Sequence, residues 1–183
     1  MPFDLHLTLE LVPHCSSVER AGWTAGHDSR PLSEQGFAQA ERLMAALGAG
    51  IDAVYASPAL RCHQTVAPLA RAAGLPVTTL AALVEADDFR EPAAWVDGVF
   101  APMGQAVGAA WSAGVMLGAL LTMAGAHPGG RVVASSHGDV IPVLLALISG
   151  WYAVPLPEPV GRGGWYTIRL HGGRASIAAA MPS

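Results

Sequence analysis

The sequence predicts an α/β fold: a three-layer α/β/α sandwich around a largely parallel sheet, with an antiparallel edge at its C-terminal end. Three observations predict it. Short apolar runs bounded by proline, glycine and polar residues alternate with longer stretches whose apolar residues recur at helical spacing. The alternation reads β, α, β, α, β, loop, α, β, α, which requires crossover connections and therefore parallel strands with helices on both faces. The chain then closes on two weakly alternating stretches, 165–170 and 175–180, joined by His171-Gly172-Gly173-Arg174, a hairpin signal.

The apolar run that begins near Leu5 and closes at Leu11 and Val12 has the length of a buried strand. Pro13 ends it and leaves His14 just past its carboxyl end, where open α/β sheets place their ligands. Residues 16–29 form a polar loop holding Glu19, Arg20, His27 and Asp28. Ser33 suits a helix N-cap, with Gly36 an awkward residue in the first turn. Phe37, Ala40, Leu43, Met44 and Leu47 then share one helical face, and Gly48 and Gly50 end it. Residues 52–56 read as the second strand, 58–73 as the second helix and 77–80 as the third strand. The acidic stretch 87–97, interrupted by Pro92, reads as a loop or lid. Residues 100–126 carry no formal charge and are long enough to cross a bilayer, but their glycines, Gln105 and Ser112 favour a buried helix covering the sheet. Pro128-Gly129-Gly130 turns the chain into a strand over 131–134. A helix over 140–149 follows, N-capped around Asp139, and then a loop dense in proline and glycine over 155–164.

Composition narrows the function classes. A chain of 183 residues that is 52% hydrophobic and 13% charged is expected to form one globular domain, 1–183, and not a disordered chain. The net charge of −4 and the lack of any Lys/Arg cluster argue against nucleic acid, and every basic residue is arginine. Two cysteines are too few for a disulfide scaffold, and the start MPFDLHL lacks a basic region and a cleavage site. Both features point to a cytoplasmic protein without a membrane partner. The sequence leaves oligomeric state open.

The chemistry gathers at predicted strand ends. His14 and His137 each follow a strand, so both can point into one crevice. A neutral imidazole can attack phosphorus when its tautomer is fixed and cations neutralise the phosphoryl oxygens. Arg61, at a helix start four residues past Ser57, supplies such a cation and a bidentate donor fork, and the helix start adds backbone N–H groups. Glu85 follows the third strand and is placed to protonate a leaving oxygen if burial raises its pKa. Cys15 and Cys62 read as small apolar fillers beside this pocket, the alternative being a Cys15 thiolate activated by His137. No cluster has the spacing of metal ligands.

LELVPHCSS (9–17), SPALRCHQT (57–65), Glu85, SSHGDV (135–140), PLSEQGFAQA (31–40) and the GGWYTIRL ending together resemble the histidine phosphatase, or phosphoglycerate-mutase-like, superfamily. The resemblance is to its small branch of SixA-type phosphohistidine phosphatases and the C-terminal domains of MutT-like Nudix hydrolases. It implies a metal-independent phosphatase, without cofactor, acting on a small phosphorylated metabolite or phosphohistidine through phospho-His14. In that scheme Arg61 binds phosphate, with Cys15, Ser136 and Gly138 around it. Glu85 acts as acid and then base, and His137 stabilises the phosphoryl oxygens. The sequence departs from the family at one point: Pro13-His14-Cys15 stands where the family has Arg-His-Gly. Arg20, Arg30 and His63 are the residues expected to fill the gap. The alternative is a weakened or repurposed member that binds an anionic ligand or runs a non-phosphate reaction in the same pocket.

Overall fold

The computed structural model describes residues 4–86 and 106–182. The apolar run at the start forms β1 (Leu7–Pro13), buried at every position but Thr8. Its Leu9 and Leu11 face one core and its Val12 the other, as a strand covered on both sides requires. After it come α1 (Glu34–Leu47), β2 (Ala53–Ala56), α2 (Leu60–Ala73) and β3 (Val77–Thr79). Then follow α3 (Ala106–Ala126), β4 (Arg131–Ser136), α4 (Ile141–Tyr152), β5 (Trp165–His171) and β6 (Arg174–Ala180). The six strands lie in the order β3-β2-β4-β1-β5-β6. The first four run parallel; β5 is antiparallel to β1, and β6 to β5.

Helices α1 and α2 cover one face through Leu43, Leu47, Val66 and Leu69. Helices α3 and α4 cover the other through Met116, Leu120, Met123, Ile141, Leu144 and Ile148. By length and composition α3 could cross a membrane, since Val107–Ala126 has a mean hydropathy of 1.6. In the fold its buried stripe closes the same core as Leu9 and Leu11. Glu10 is the one charge inside β1. Arg131 Nε at 2.9 Å and the Thr167 hydroxyl at 2.5 Å satisfy its carboxylate.

Pro13 is tolerated at the end of a central strand for a geometric reason. Successive N–H groups of a strand point to alternate sides, and His14 N bonds Ser136 O on the β4 side. Position 13 therefore faces β5, whose ladder with β1 has already ended at the Leu11–Tyr166 pair. Proline costs no ladder bond there. At the other edge, Gly172 and Gly173 adopt φ of 54° and 73°, the positive values that a two-residue hairpin turn needs.

Several boundaries differ from the sequence expectation. Helix α1 begins at Glu34, with Ser33 Oγ accepting from Gly36 N, but Phe37 is 46% exposed. Gln39 takes the buried place, because its side-chain oxygen satisfies Ser16 N at 2.8 Å. Helix α2 starts at Leu60, two residues after Pro58. Helix α4 spans Ile141–Tyr152, and Asp139 does not cap it in the usual way: its carboxylate accepts from Val140 N and Ala86 N. The acidic stretch 87–97 and the start of the apolar segment, 100–105, lie outside the described residues.

Gly36 explains itself once the fold is known. A Cβ there would sit 1.9 Å from Ser16 O, so glycine lets α1 pack against the loop that follows His14. Alanine is ordinarily better than glycine in a helix by about 1 kcal/mol. We expect Gly36→Ala to destabilise the fold by about 1–3 kcal/mol through overpacking. Gly118→Ala, on α3 with nothing within 4 Å of its Cβ position, should instead stabilise it. Urea denaturation of the two variants checks the opposite signs.

Candidate active site

Parallel strands that end side by side build the site. Pro13 pairs with Ser136 and Ala56 with Ser135, so the residues that follow, His14, His137 and Ser57, emerge on neighbouring strands at one edge. The rings of His14 and His137 are 5.5 Å apart, centre to centre, and inclined by 70°. Segment 84–86 is drawn to the same edge by Ser136 Oγ, which donates to Leu83 O at 2.8 Å, and by Asp139, which accepts from Ala86 N. That segment delivers Glu85.

The His14 imidazole is buried and its Nδ1 lies 2.7 Å from the carbonyl oxygen of Cys15. A carbonyl only accepts, so Nδ1 carries the proton and Nε2 keeps its lone pair. Burial, aided by the positive charge of Arg162, pushes the pKa of His14 down to about 3 against the opposing bond to Cys15. The group is a neutral imidazole of defined tautomer.

Arg61 has no exposed surface. Its guanidinium donates to His27 O at 3.0 Å and lies 2.8 Å from Glu85 Oε1. The same carboxylate oxygen is 3.0 Å from His137 Nδ1, and Glu85 Oε2 is 2.9 Å from His27 Nε2. Ser57 Oγ meets His137 Nε2 at 2.8 Å on the far side of the ring. Burial alone would raise the Glu85 carboxyl. The hydrogen bonds and charges of His137 and Arg61 outweigh it and hold the group well below the usual carboxylate range. This reverses the expectation that burial would prepare Glu85 as an acid: in the free site it is an anion.

A cleft of about 410 Å³ opens above these groups, lined by His14, Arg20, His27, Arg30, Glu85, Gly138, Asp139 and Arg162. Three residues expected at the site, Ser136, Cys15 and His63, lie elsewhere. Ser136 is buried beneath the floor and ties the Glu85 segment to β4. The Cys15 side chain packs with Leu32 and Ala40, and only its carbonyl serves the site. His63 turns out toward the β3 edge and meets Thr79 Oγ1 at 3.1 Å, so it is no substitute for a cation beside His14. Arg20 and Arg30 do line the cleft. Neither thiol is activated: burial raises Cys15, and it pushes Cys62 up to about 12. Besides Ser57 on the His137 ring and Asp139 in the cleft wall, sequence reasoning missed His27 and Arg162. His27 holds both Arg61 and Glu85, and Arg162 donates to His14 O at 2.7 Å. The only available signal for Arg162 was that it is the single cation in the 155–164 loop.

His14, Glu85 and His137 bring their ligand atoms within 4.8 Å of one another, a grouping that could hold a metal ion. The surroundings do not suit one. Both Glu85 oxygens are already engaged, Oε1 by Arg61 and His137 and Oε2 by His27, and Arg162, Arg30 and Arg20 add positive charge around them. The arrangement suits an anion instead, and Arg61 Nε, buried without a protein acceptor among the described residues, agrees with that.

The model of the histidine phosphatase superfamily (branch 1) matches residues 10–89 of the chain. Over 65 residues the chain is 42% identical to an 8-oxo-(d)GTP phosphatase of Mycolicibacterium smegmatis; the match takes in 35% of this chain and only a fifth, 20%, of that relative's length. Among solved structures, Bacillus stearothermophilus YhfR is similar with a TM-score of 0.69 and 21% identity, covering 93% of this chain and 95% of its own. A mycobacterial glucosyl-3-phosphoglycerate phosphatase complexed with VO3 gives 0.62 and 21%, covering 98% and 100%. The protein histidine phosphatase SixA complexed with tungstate gives 0.59 and 16%, covering 96% and 97%. These likenesses show the fold.

The ionisation of His14 links the site to stability. In the folded chain it takes a proton only near pH 3, against 6.5 for an unperturbed histidine. The folded state therefore binds fewer protons across that interval, and stability is lost as pH falls from 6.5 toward 3. Depression of Glu85 adds a loss in the same direction at the acid end. We expect the fall in unfolding free energy between about pH 7 and about pH 5 to be smaller in His14→Asn than in the natural chain. An equal fall in both, measured by urea denaturation, would show that His14 is not its source.

Proposed function

We propose that the protein is a phosphatase that transfers the phosphoryl group of a small phosphorylated metabolite or phosphohistidine to His14 and then to water, without a metal. The observation that carries this reading is the bond from His14 Nδ1–H to the Cys15 carbonyl, which leaves an unprotonated Nε2 in an arginine-lined cleft. In the first step the Nε2 lone pair forms the N–P bond as the bond from phosphorus to the leaving oxygen breaks. In the second a water attacks phosphorus, the N–P bond breaks and phosphate leaves.

Glu85 enters this scheme through the substrate's charge. Arg61 and His137 hold its carboxylate in the free site. A phosphoryl dianion competes for both partners, removes the groups that keep the carboxyl ionised and brings negative charge close to it. Each change raises the Glu85 pKa. A proton taken up on binding can then pass to the leaving oxygen, and the resulting carboxylate can take one from the attacking water. His137 and Arg61, released from Glu85, turn their donors to the phosphoryl oxygens. The 8-oxo-(d)GTP phosphatase relative and the phosphatase-named structural neighbours support the same reaction class.

Rapid quenching with a ³²P-labelled substrate should trap an adduct on the protein that is stable to base and labile to acid, as a phosphohistidine is. His14→Ala should abolish it and lower kcat by at least about a thousandfold. Labelled protein that persists in His14→Ala would defeat the scheme, and a substrate that binds but is never turned over would identify a binding protein instead.

Glu85→Gln gives an independent prediction. General acid catalysis is worth about 10²–10⁴ in rate, but only where the leaving oxygen needs a proton. Activity on an alkyl phosphate should fall by that order, and activity on p-nitrophenyl phosphate should fall far less. Equal losses on the two would remove Glu85 from the acid role.

A further inference from the structure

The cations at and beneath the cleft differ in how they are held, and Arg20 lines it from an exposed position in the loop before α1. Arg61 is bound by Glu85 and His27, and Arg30 directs Nη1 to Val18 O. Arg162 reaches in from the loop between α4 and β5 and gives one N–H, on Nη1, to the backbone carbonyl of His14. A guanidinium has five donors in one plane, so this contact anchors Arg162 beside the nucleophile and leaves most of its donors unused. Among the described residues no carboxylate lies within ion-pair distance of it, and it lines the cleft beside His14. Strand β1 itself offers the phosphoryl group nothing at this point, because Pro13 has neither a charge nor an N–H.

We propose that Arg162 is a substrate-binding residue whose guanidinium, fixed by the His14 carbonyl, takes the phosphoryl oxygens together with Arg61. The cation that completes the anion site thus comes from the 155–164 loop and not from the nucleophile's own strand. This assignment rests on the phosphatase reading for the identity of the anion. Charge-assisted bonds to a phosphoryl group are strong enough that losing one should cost about 1.4 kcal/mol or more, a tenfold change in affinity.

The test is calorimetric titration of the full chain with tungstate, a phosphoryl mimic, comparing the natural protein with Arg162→Gln and Arg162→Lys. Glutamine keeps a donor for the His14 carbonyl and removes the charge. Arg162→Gln should bind tungstate at least about tenfold more weakly, with Tm little changed, and should raise KM for p-nitrophenyl phosphate more than it lowers kcat. Adding Pro13→Arg to the Gln variant should return part of the lost affinity. Tungstate affinity within twofold of the natural protein would overturn the assignment. If the Gln variant does not fold, Arg162→Lys decides: it keeps a point charge without the fork, and unchanged affinity in that variant would equally overturn it. Tungstate binding that depends on Arg162 in a protein without turnover would defeat the phosphatase reading and leave Arg162 in place. Normal turnover with Arg162-independent binding would do the reverse.

Discussion

A guanidinium with no exposed surface has to be neutralised, and much of the site follows from that one requirement. Arg61 sits at the start of α2, sealed under the loop that carries His27. Leaving its charge unpaired there would cost several kcal/mol. Glu85 supplies the counter-charge, and to reach Arg61 the segment after β3 must be pulled in by Ser136 and Asp139. His137 and His27 then share the carboxylate. The resting site is therefore already filled by an anion of the protein's own, and on the phosphatase reading proposed above a phosphorylated ligand would bind by exchanging with it. Such exchange suits a catalytic site, because the cations remain oriented and desolvated before substrate arrives.

Some of this was legible in the sequence, and the reason is topological. A residue just after a parallel strand has few places to go, so His14, Arg61, Glu85 and His137 could be assigned to one pocket from their strand-end positions together with the family resemblance. The succession of elements and the largely parallel sheet were legible from the alternation of patterns, down to the hairpin at Gly172-Gly173. What failed was anything that depended on which distant side chain meets which. Burial of Glu85 was visible in principle, but the sign of its ionisation depends on Arg61 and His137, which lie far from it in the chain and are adjacent only in space. His63 lies two residues beyond Arg61 and still turns outward, because successive helical positions face different directions. His27 opens a single 3-10 turn (His27–Ser29) and Arg162 lies in a loop, segments too short or irregular for periodicity to constrain a side chain.

The structural relatives retain this architecture at about a fifth identity or less, which fits what the fold demands. Burial on both faces asks for apolar residues of suitable size, a condition that many sequences meet. The edge at the strand ends is more exacting. Only a proline-tolerant position explains why β1 can end as it does, and the freedom arises because β5 stops pairing two residues earlier.

Two thiols lie within a few residues of the chemistry, and the structure makes both of them spectators. Cys62 touches Ser136 O and the His137 ring at 3.6 Å yet stays protonated, and Cys15 is packed against Leu32 and Ala40. Peroxide and disulfide exchange act on thiolates, so neither group offers the handle by which many phosphatases that use cysteine are switched off. The consequence, on the proposed reading, is a centre that would run on imidazole and guanidinium alone, with its two neighbouring thiols held protonated by burial.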